Sequence, residues 1–252
     1  MVKTSTSLRS PLSPTRSPDD AFPWWGSLAL AGALFVATIV ALAGVVGVLV
    51  SLNLATTKDF RGLSWPIIIL QFASIGGPLA VLIPGLPALA KRSLGELGLH
   101  APRVSDVPWA FGGAAGMFIV ATVIGALQEA AFHVKADQVT VHWLRDARVD
   151  LVAGLVVLAC IGAPVVEELT FRGFVFNAIL RYSPAWLAVA LSGLLFGLAH
   201  AQTGAGSIAP LAAAGMVLAV VYYRSRSLTA SILAHATFNA FTVVVVLGLH
   251  QG

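Results

Sequence analysis

Residues 151–172 read LVAGLVVLACIGAPVVEELTFR, an apolar run that ends in two adjacent carboxylates and an arginine. A membrane-spanning helix requires about 20 largely apolar residues, and this run approaches that length before its first charge. A charged side chain at the bilayer centre costs about 3 kcal/mol on insertion scales, so such residues usually face an interior cavity. The stretch therefore predicts a transmembrane helix that carries a buried polar site.

The rest of the chain has the same apolar character. Its 252 residues are 58% hydrophobic and 10% charged, with a mean hydropathy of +0.88. These values exclude a water-soluble globular domain. The predicted fold class is all-α, a polytopic transmembrane helical bundle with seven spans, eight being the alternative. The apolar runs begin near Phe22, Ser64, Val107, Leu151, Ala185, Ser207 and Leu228.

Three regions follow from this pattern. Residues 1–21 are rich in Ser, Thr and Pro and offer little to bury, so we predict a disordered cytoplasmic tail. Residues 22–150 form N-terminal transmembrane helices and loops, and residues 151–249 form a third region that contains the buried polar side chains.

The distribution of basic residues predicts orientation. The net charge is +4, but the 15 Lys and Arg residues are spread over the connections rather than gathered into a patch, so we expect no nucleic-acid partner. With seven spans and the N-terminus inside, ten of the 15 fall on the cytoplasmic side. Because Lys and Arg near span ends favour that side, we predict a cytoplasmic N-terminus.

The two glutamates have different neighbours on a helix. Residues four apart share a helical face, so Glu168 pairs with Arg172 and Glu167 pairs only with Phe171. Glu168 and Arg172 are therefore predicted to form a supporting ion pair. Glu167 lacks a partner on its own helix and is predicted to be the working carboxylate. Pro164 removes a backbone donor and clashes with the carbonyl of Cys160, which predicts a bend or break just before the glutamates.

Three further polar residues lie at a similar depth. Residues 181–184 form a turn, and Glu167 and His200 are each about 25 Å from it along antiparallel helices. His235 and Asn239 lie about 14 and 20 Å into the last span, on one helical face. We therefore expect these four side chains to meet, with tilted helices making up the difference of several ångströms in depth.

A carboxylate with two imidazoles and an amide suits activation of water. Glu167 would take a proton from water, and His200 would position that water. His235 and Asn239 would donate hydrogen bonds to an oxyanion. Phe196, four residues before His200, is predicted to shape the pocket. No cofactor is firmly implied, but Glu167, His200 and His235 also form a plausible ligand set for a divalent metal such as zinc.

These motifs resemble the CPBP family of intramembrane proteases, which includes type II CAAX prenyl endopeptidases and bacteriocin-processing and immunity proteins. The family pattern of EExxxR, FxxxH and HxxxN occurs here in order on successive helices. It falls on these residues: Glu167, Glu168, Arg172, Phe196, His200, His235 and Asn239. The resemblance covers about residues 151–245 and implies that residues 151–249 are the catalytic core.

The same resemblance implies roles for the motif residues. Glu167 would be the catalytic acid with His200 as its partner, while His235 and Asn239 would form the oxyanion side. Members of the family have been described both as metalloproteases and as glutamate-dependent proteases. The metal question therefore stays open at this point.

We expect an endopeptidase that acts within or at the edge of a membrane, most similar to bacterial members of the family. Its partners would be membrane lipid and a peptide or membrane-protein substrate, which prenylation could mark. The alternative is a non-catalytic scaffold or bacteriocin-immunity protein. An ion-coupled transporter, which would also use buried Glu and His, ranks last because only one half of the chain has the polar residues.

Overall fold

The computed structural model describes residues 22–56, 58–59, 63–136, 139–146 and 148–248. The tail predicted for residues 1–21 lies outside them. The described residues form helices and connections without strands, which confirms the all-α prediction. The α-helices are α1 Trp24–Ser51, α2 Trp65–Ala90, α3 Val107–Phe132, α4 Val139–Asp146, α5 Val149–Val157, α6 Ala163–Glu168, α7 Asn177–Leu180, α8 Ala185–Ala199, α9 Ile208–Ser225 and α10 Leu228–Gly248.

Seven segments of the described chain are long and apolar enough to cross a membrane, which confirms the predicted span count. Each begins within a few residues of its predicted start. They are Trp24–Ser51, Trp65–Ala90, Val104–Phe132, Asp150–Leu180, Ala185–Thr203, Ala205–Ser225 and Leu228–Gly248.

Hydrogen bonds between connections mark the two ends of the bundle. At the end where α1 begins, called the near end, the Tyr182 hydroxyl after α7 donates to the Phe22 carbonyl over 3.2 Å. At the opposite end, called the far end, the Gln128 amide of α3 donates to the Gly206 carbonyl over 2.8 Å. Residues 201–207, between α8 and α9, therefore lie at the far end.

The fourth span is an α-helix interrupted by two π-helical segments. Segments Leu158–Gly162 and Leu169–Phe176 are π-helical, and α6 forms the six residues between them. In a π-helix each N–H reaches the carbonyl five residues earlier, and here Ala163 donates to Leu158. The irregularity predicted before the glutamates is therefore a widened π segment, which is common at functional sites.

Helices α8 and α9 are in close contact. A Cβ added at Gly197 would overlap the Ile208 carbonyl, and one added at Gly193 would overlap Met216. Small residues at such positions let helix backbones approach within a membrane. Helix α9 also packs against α3 and α10, while α1 packs mainly on α2. The fourth span packs against α2, α8, α9 and α10.

Candidate active site

Glu168 is fully buried, and both of its carboxylate oxygens accept hydrogen bonds. Its Oε1 accepts from Arg172 Nη1 at 2.9 Å and from His235 Nδ1 at 3.0 Å. Its Oε2 accepts from the Ser231 hydroxyl at 2.6 Å. A buried carboxylate is costly unless it is paired and hydrogen-bonded, and these donors meet that condition. Glu168 therefore ties α6 to α10 and has little capacity left for a reaction.

Arg172 is also completely buried, within the second π segment. Besides its bond to Glu168, its Nη2 donates to the Gly215 carbonyl of α9 at 2.6 Å. Its guanidinium carbon lies 4.8 Å from the centre of the Phe196 ring, within the range of a cation–π interaction. The arginine thus links α8 and α9 to the same buried carboxylate.

Glu167 points in a different direction from Glu168. Its Oε2 lies 3.7 Å from His200 Nε2 and 3.9 Å from His235 Nε2. Both separations are too long for direct hydrogen bonds and leave room for a shared water. Oε2 is buried without a hydrogen-bond partner among the described residues, although 23% of the side chain is exposed. The structure therefore brings together Glu167, His200 and His235, three of the four side chains that were expected to meet.

The Nδ1 atom of each imidazole already has a hydrogen-bond partner. His200 Nδ1 lies 2.7 Å from the Phe196 carbonyl, and His235 Nδ1 lies 3.0 Å from Glu168 Oε1. A carbonyl can only accept, and Glu168 accepts from other donors, so we assign the proton of each neutral ring to Nδ1. Both Nε2 atoms then turn a lone pair toward Glu167 Oε2. Three acceptor atoms thus lie near one another, which suits a molecule such as water that can donate a hydrogen to two of them.

Phe196 is buried where the polar groups converge. Its ring centroid lies 4.7 Å from that of His200 and 5.7 Å from that of His235, and one ring face meets Arg172. This placement suits the role of a pocket wall that orients both imidazoles.

Asn239 lies one turn beyond His235 on α10. Its Nδ2 donates to the Ala159 carbonyl of the first π segment at 2.7 Å. One N–H of the amide is thus used within the protein, and the oxyanion role that the resemblance implies stays a prediction.

Sequence reasoning missed Ser231, which donates to Glu168 and belongs to the polar cluster. A signal was present, because Ser231 is four residues before His235 and shares its helical face. The Gly215 carbonyl, which accepts from Arg172, has no such signal because every residue carries a carbonyl.

The residue types suit a metal site, but their side chains are not placed to bind an ion. Glu167, His200 and His235 offer donor atoms that zinc uses, and the Nδ1 contacts are those that orient metal-bound histidines. However, within the described ranges no group of three or more His, Cys, Asp or Glu side chains is placed to hold a metal ion.

Comparisons with known proteins point to the same part of the chain. Residues 149–241 match the family model of the type II CAAX prenyl endopeptidase Rce1-like proteins. Every motif residue from Glu167 to Asn239 lies inside this match. The fold defines a polytopic integral membrane protein. The resemblance to the CPBP family is confirmed over the matched residues.

One relative extends this comparison. The chain is 25% identical over 145 residues to a Bacillus subtilis (strain 168) protein provisionally named membrane peptidase YdiL. The match includes 56% of this chain and spans 57% of the relative's length. No solved structure matches the chain.

The two adjacent glutamates should differ in their effect on stability. Glu168→Gln leaves Arg172 buried without its counter-charge, and we expect a loss of about 3–5 kcal/mol in the free energy of unfolding. Glu167→Gln removes no hydrogen bond from Oε2 and should cost less than about 1 kcal/mol. Denaturant unfolding of both variants in detergent micelles measures the difference. Equal losses would contradict the assignment of the structural role to Glu168 alone.

Proposed function

We propose that the protein is an intramembrane endopeptidase that hydrolyses a peptide bond in or near the bilayer. The observation that carries this proposal is the meeting of Glu167 Oε2 with two imidazole Nε2 atoms inside a membrane-spanning bundle. The match to the Rce1-like family supports it, because the members of that family are described as endopeptidases.

The reaction begins with a water that donates its two hydrogens to Glu167 Oε2 and His200 Nε2. Glu167 Oε2 accepts one proton as the water oxygen bonds to the carbonyl carbon of the substrate. The π electrons of the carbonyl move to its oxygen, which becomes an oxyanion. His200 keeps the water oriented through its Nε2 lone pair, because its Nδ1 is held by the Phe196 carbonyl.

Collapse of the tetrahedral intermediate completes the cleavage. The oxyanion re-forms the carbonyl, the C–N bond breaks, and the proton on Glu167 passes to the leaving amine. When His235 carries a second proton, its Nε2–H can donate to the oxyanion, with Glu168 stabilising the imidazolium at Nδ1. Glu168 and Arg172 thus act through His235 rather than on the substrate.

A divalent metal would use the same three side chains. In that case Glu167, His200 and His235 would hold the ion, which would supply Lewis-acid activation of the water. Because these side chains do not form a ready ligand group, we derive the reaction from the protein's own residues.

We propose a peptide or membrane-protein substrate that reaches the site from the surrounding lipid, with a prenylated chain as one form. The family model supports this class, since its name refers to CAAX prenyl substrates. The B. subtilis relative supports a bacterial cell membrane as the location.

Cleavage by the purified protein tests this function. We expect wild type in liposomes to cut members of a library of membrane-proximal and prenylated peptides, read by mass spectrometry. Glu167→Gln should lose at least about 100-fold in rate because it cannot accept the proton. Glu129→Gln, on the exposed surface of α3, is the matched control and should cleave like wild type.

Two outcomes would oppose the proposal. Equal cleavage by wild type and Glu167→Gln would exclude Glu167 as the base. No cleavage by either protein, together with full complementation by Glu167→Gln in cells, would favour the scaffold or immunity alternative. Repeating the assay with a chelator decides between the metal and the metal-free forms of the reaction.

We also propose that the N-terminus is cytoplasmic, on the basis of the excess of basic residues on that side. The near end of the bundle is then cytoplasmic. His200, which follows α8, is then closer to the non-cytoplasmic end.

Labelling of single cysteines tests this orientation. Cys160 is the sole cysteine in the sequence, so Cys160→Ala gives a cysteine-free background. In it, Gln202→Cys at the far end should react with an impermeant maleimide in intact cells. Gly95→Cys at the near end should react only after permeabilisation. Both replaced residues are exposed, and the reverse pattern would invert the proposed orientation.

A further inference from the structure

Pro164 leaves one carbonyl of the fourth span without its backbone donor. In the first π segment, Ala163 N–H donates to Leu158, five residues earlier. The next residue in this register would donate to Ala159. That residue is Pro164, which has no N–H. The carbonyl left without a donor is therefore that of Ala159, not that of Cys160 as regular α-helical spacing predicts.

Asn239 supplies the missing donor from another helix. Its Nδ2 lies 2.7 Å from the Ala159 carbonyl, although the two residues are 80 apart in the sequence. A carbonyl without a partner in the apolar interior of a membrane protein is costly, so this bond should matter for the local structure.

In the second π segment a side-chain amide of the same helix bonds the backbone carbonyls. Asn177 Nδ2, just after that segment, lies 2.9 Å from both the Arg172 and the Gly173 carbonyls. In each π segment, carbonyl groups are thus bonded by a side-chain amide. This second case shows that the fold uses asparagine to satisfy the backbone where the helix widens.

Helix α10 bonds the fourth span at two positions, one before Glu167 in the sequence and one directly after it. Asn239 holds the chain at Ala159, eight residues before Glu167, and His235 holds it at the adjacent Glu168. Helix α6 has six residues, begins four residues after Ala159 and ends at Glu168, the second attachment. A rotation of α6 would change the distances of 3.7 and 3.9 Å from Glu167 Oε2 to the two imidazoles.

We propose that Asn239 is a positioning residue that replaces the hydrogen bond Pro164 cannot make and thereby sets the orientation of Glu167. The inference rests on the proposed function and differs from a direct role at the oxyanion. A donor to the oxyanion contributes whatever residue stands at position 164. A substitute for the proline N–H becomes dispensable once that N–H is restored.

A double-mutant cycle between Asn239→Ala and Pro164→Ala separates the two roles. With Pro164 present, Asn239→Ala should lower kcat about 10- to 100-fold and change KM little, because a shift of about 1 Å at a catalytic group has that effect. In the Pro164→Ala background the residue-164 N–H can bond Ala159, and the same substitution should lower kcat less than about threefold. An equal loss in both backgrounds would overturn the proposal in favour of an oxyanion donor.

Unfolding measurements on the wild type, the two single variants and the double variant test the hydrogen bond without relying on peptidase activity. Asn239→Ala should lower the unfolding midpoint clearly with Pro164 present and only slightly with Pro164→Ala. The control is Thr242→Ala, since Thr242 bonds the Phe238 carbonyl of its own helix and its effect should be equal in both backgrounds. Equal losses for Asn239→Ala would refute the replacement of the proline N–H.

Measuring both kcat and the unfolding midpoint distinguishes the ways in which the proposal can fail. A lower midpoint with unchanged kcat would make Asn239 structural and overturn its positioning role. If wild type cleaves nothing, the proposed function fails, and so does positioning for catalysis. The unfolding cycle still decides whether Asn239 replaces the N–H of Pro164.

Discussion

The buried ion pair between Arg172 and Glu168 is the constraint around which the site is arranged. Moving two charges out of water costs several kcal/mol each, and the pair is tolerated only where further hydrogen bonds complete it. Here those bonds come from Ser231 and His235 on α10 and reach Gly215 on α9. Satisfying the pair therefore requires three spans to meet at one level. The same requirement fixes one imidazole nitrogen of His235.

As a result, the two neighbouring carboxylates have different roles. Glu168 is surrounded by donors and stabilises the fold, whereas Glu167 is left facing two nitrogen lone pairs. His235 bonds Glu168 through Nδ1 and turns Nε2 toward Glu167, 3.9 Å away, so it connects the structural cluster to the reactive one. A change in the buried pair should reach the reactive group through this ring, without any contact between Arg172 and substrate.

Hydropathy predicted the seven spans, and helical spacing separated Glu167 from Glu168, because both follow from local periodicity. The meeting of His200 and His235 with Glu167 was predictable because the rise of 1.5 Å per residue converts distance from a turn into depth. The π segments were not predictable, since widening by one residue depends on partners such as Asn239, 80 residues away from Ala159. Sequence reasoning also paired Glu168 with Arg172 alone. Its bonds to Ser231 and His235 arise from tertiary packing of α10 against α6.

The tautomer of His235 tests the central claim most directly. If Glu168 holds Nδ1, the neutral ring must carry its hydrogen there and leave Nε2 bare toward Glu167. Nitrogen-15 NMR of histidine-labelled protein in lipid, assigned with His235→Gln, distinguishes the two nitrogens by their chemical shifts. The account predicts a protonated Nδ1 and a bare Nε2 in the wild-type protein. A bare Nδ1 with hydrogen on Nε2 would contradict it, because Glu168 would then not orient the ring.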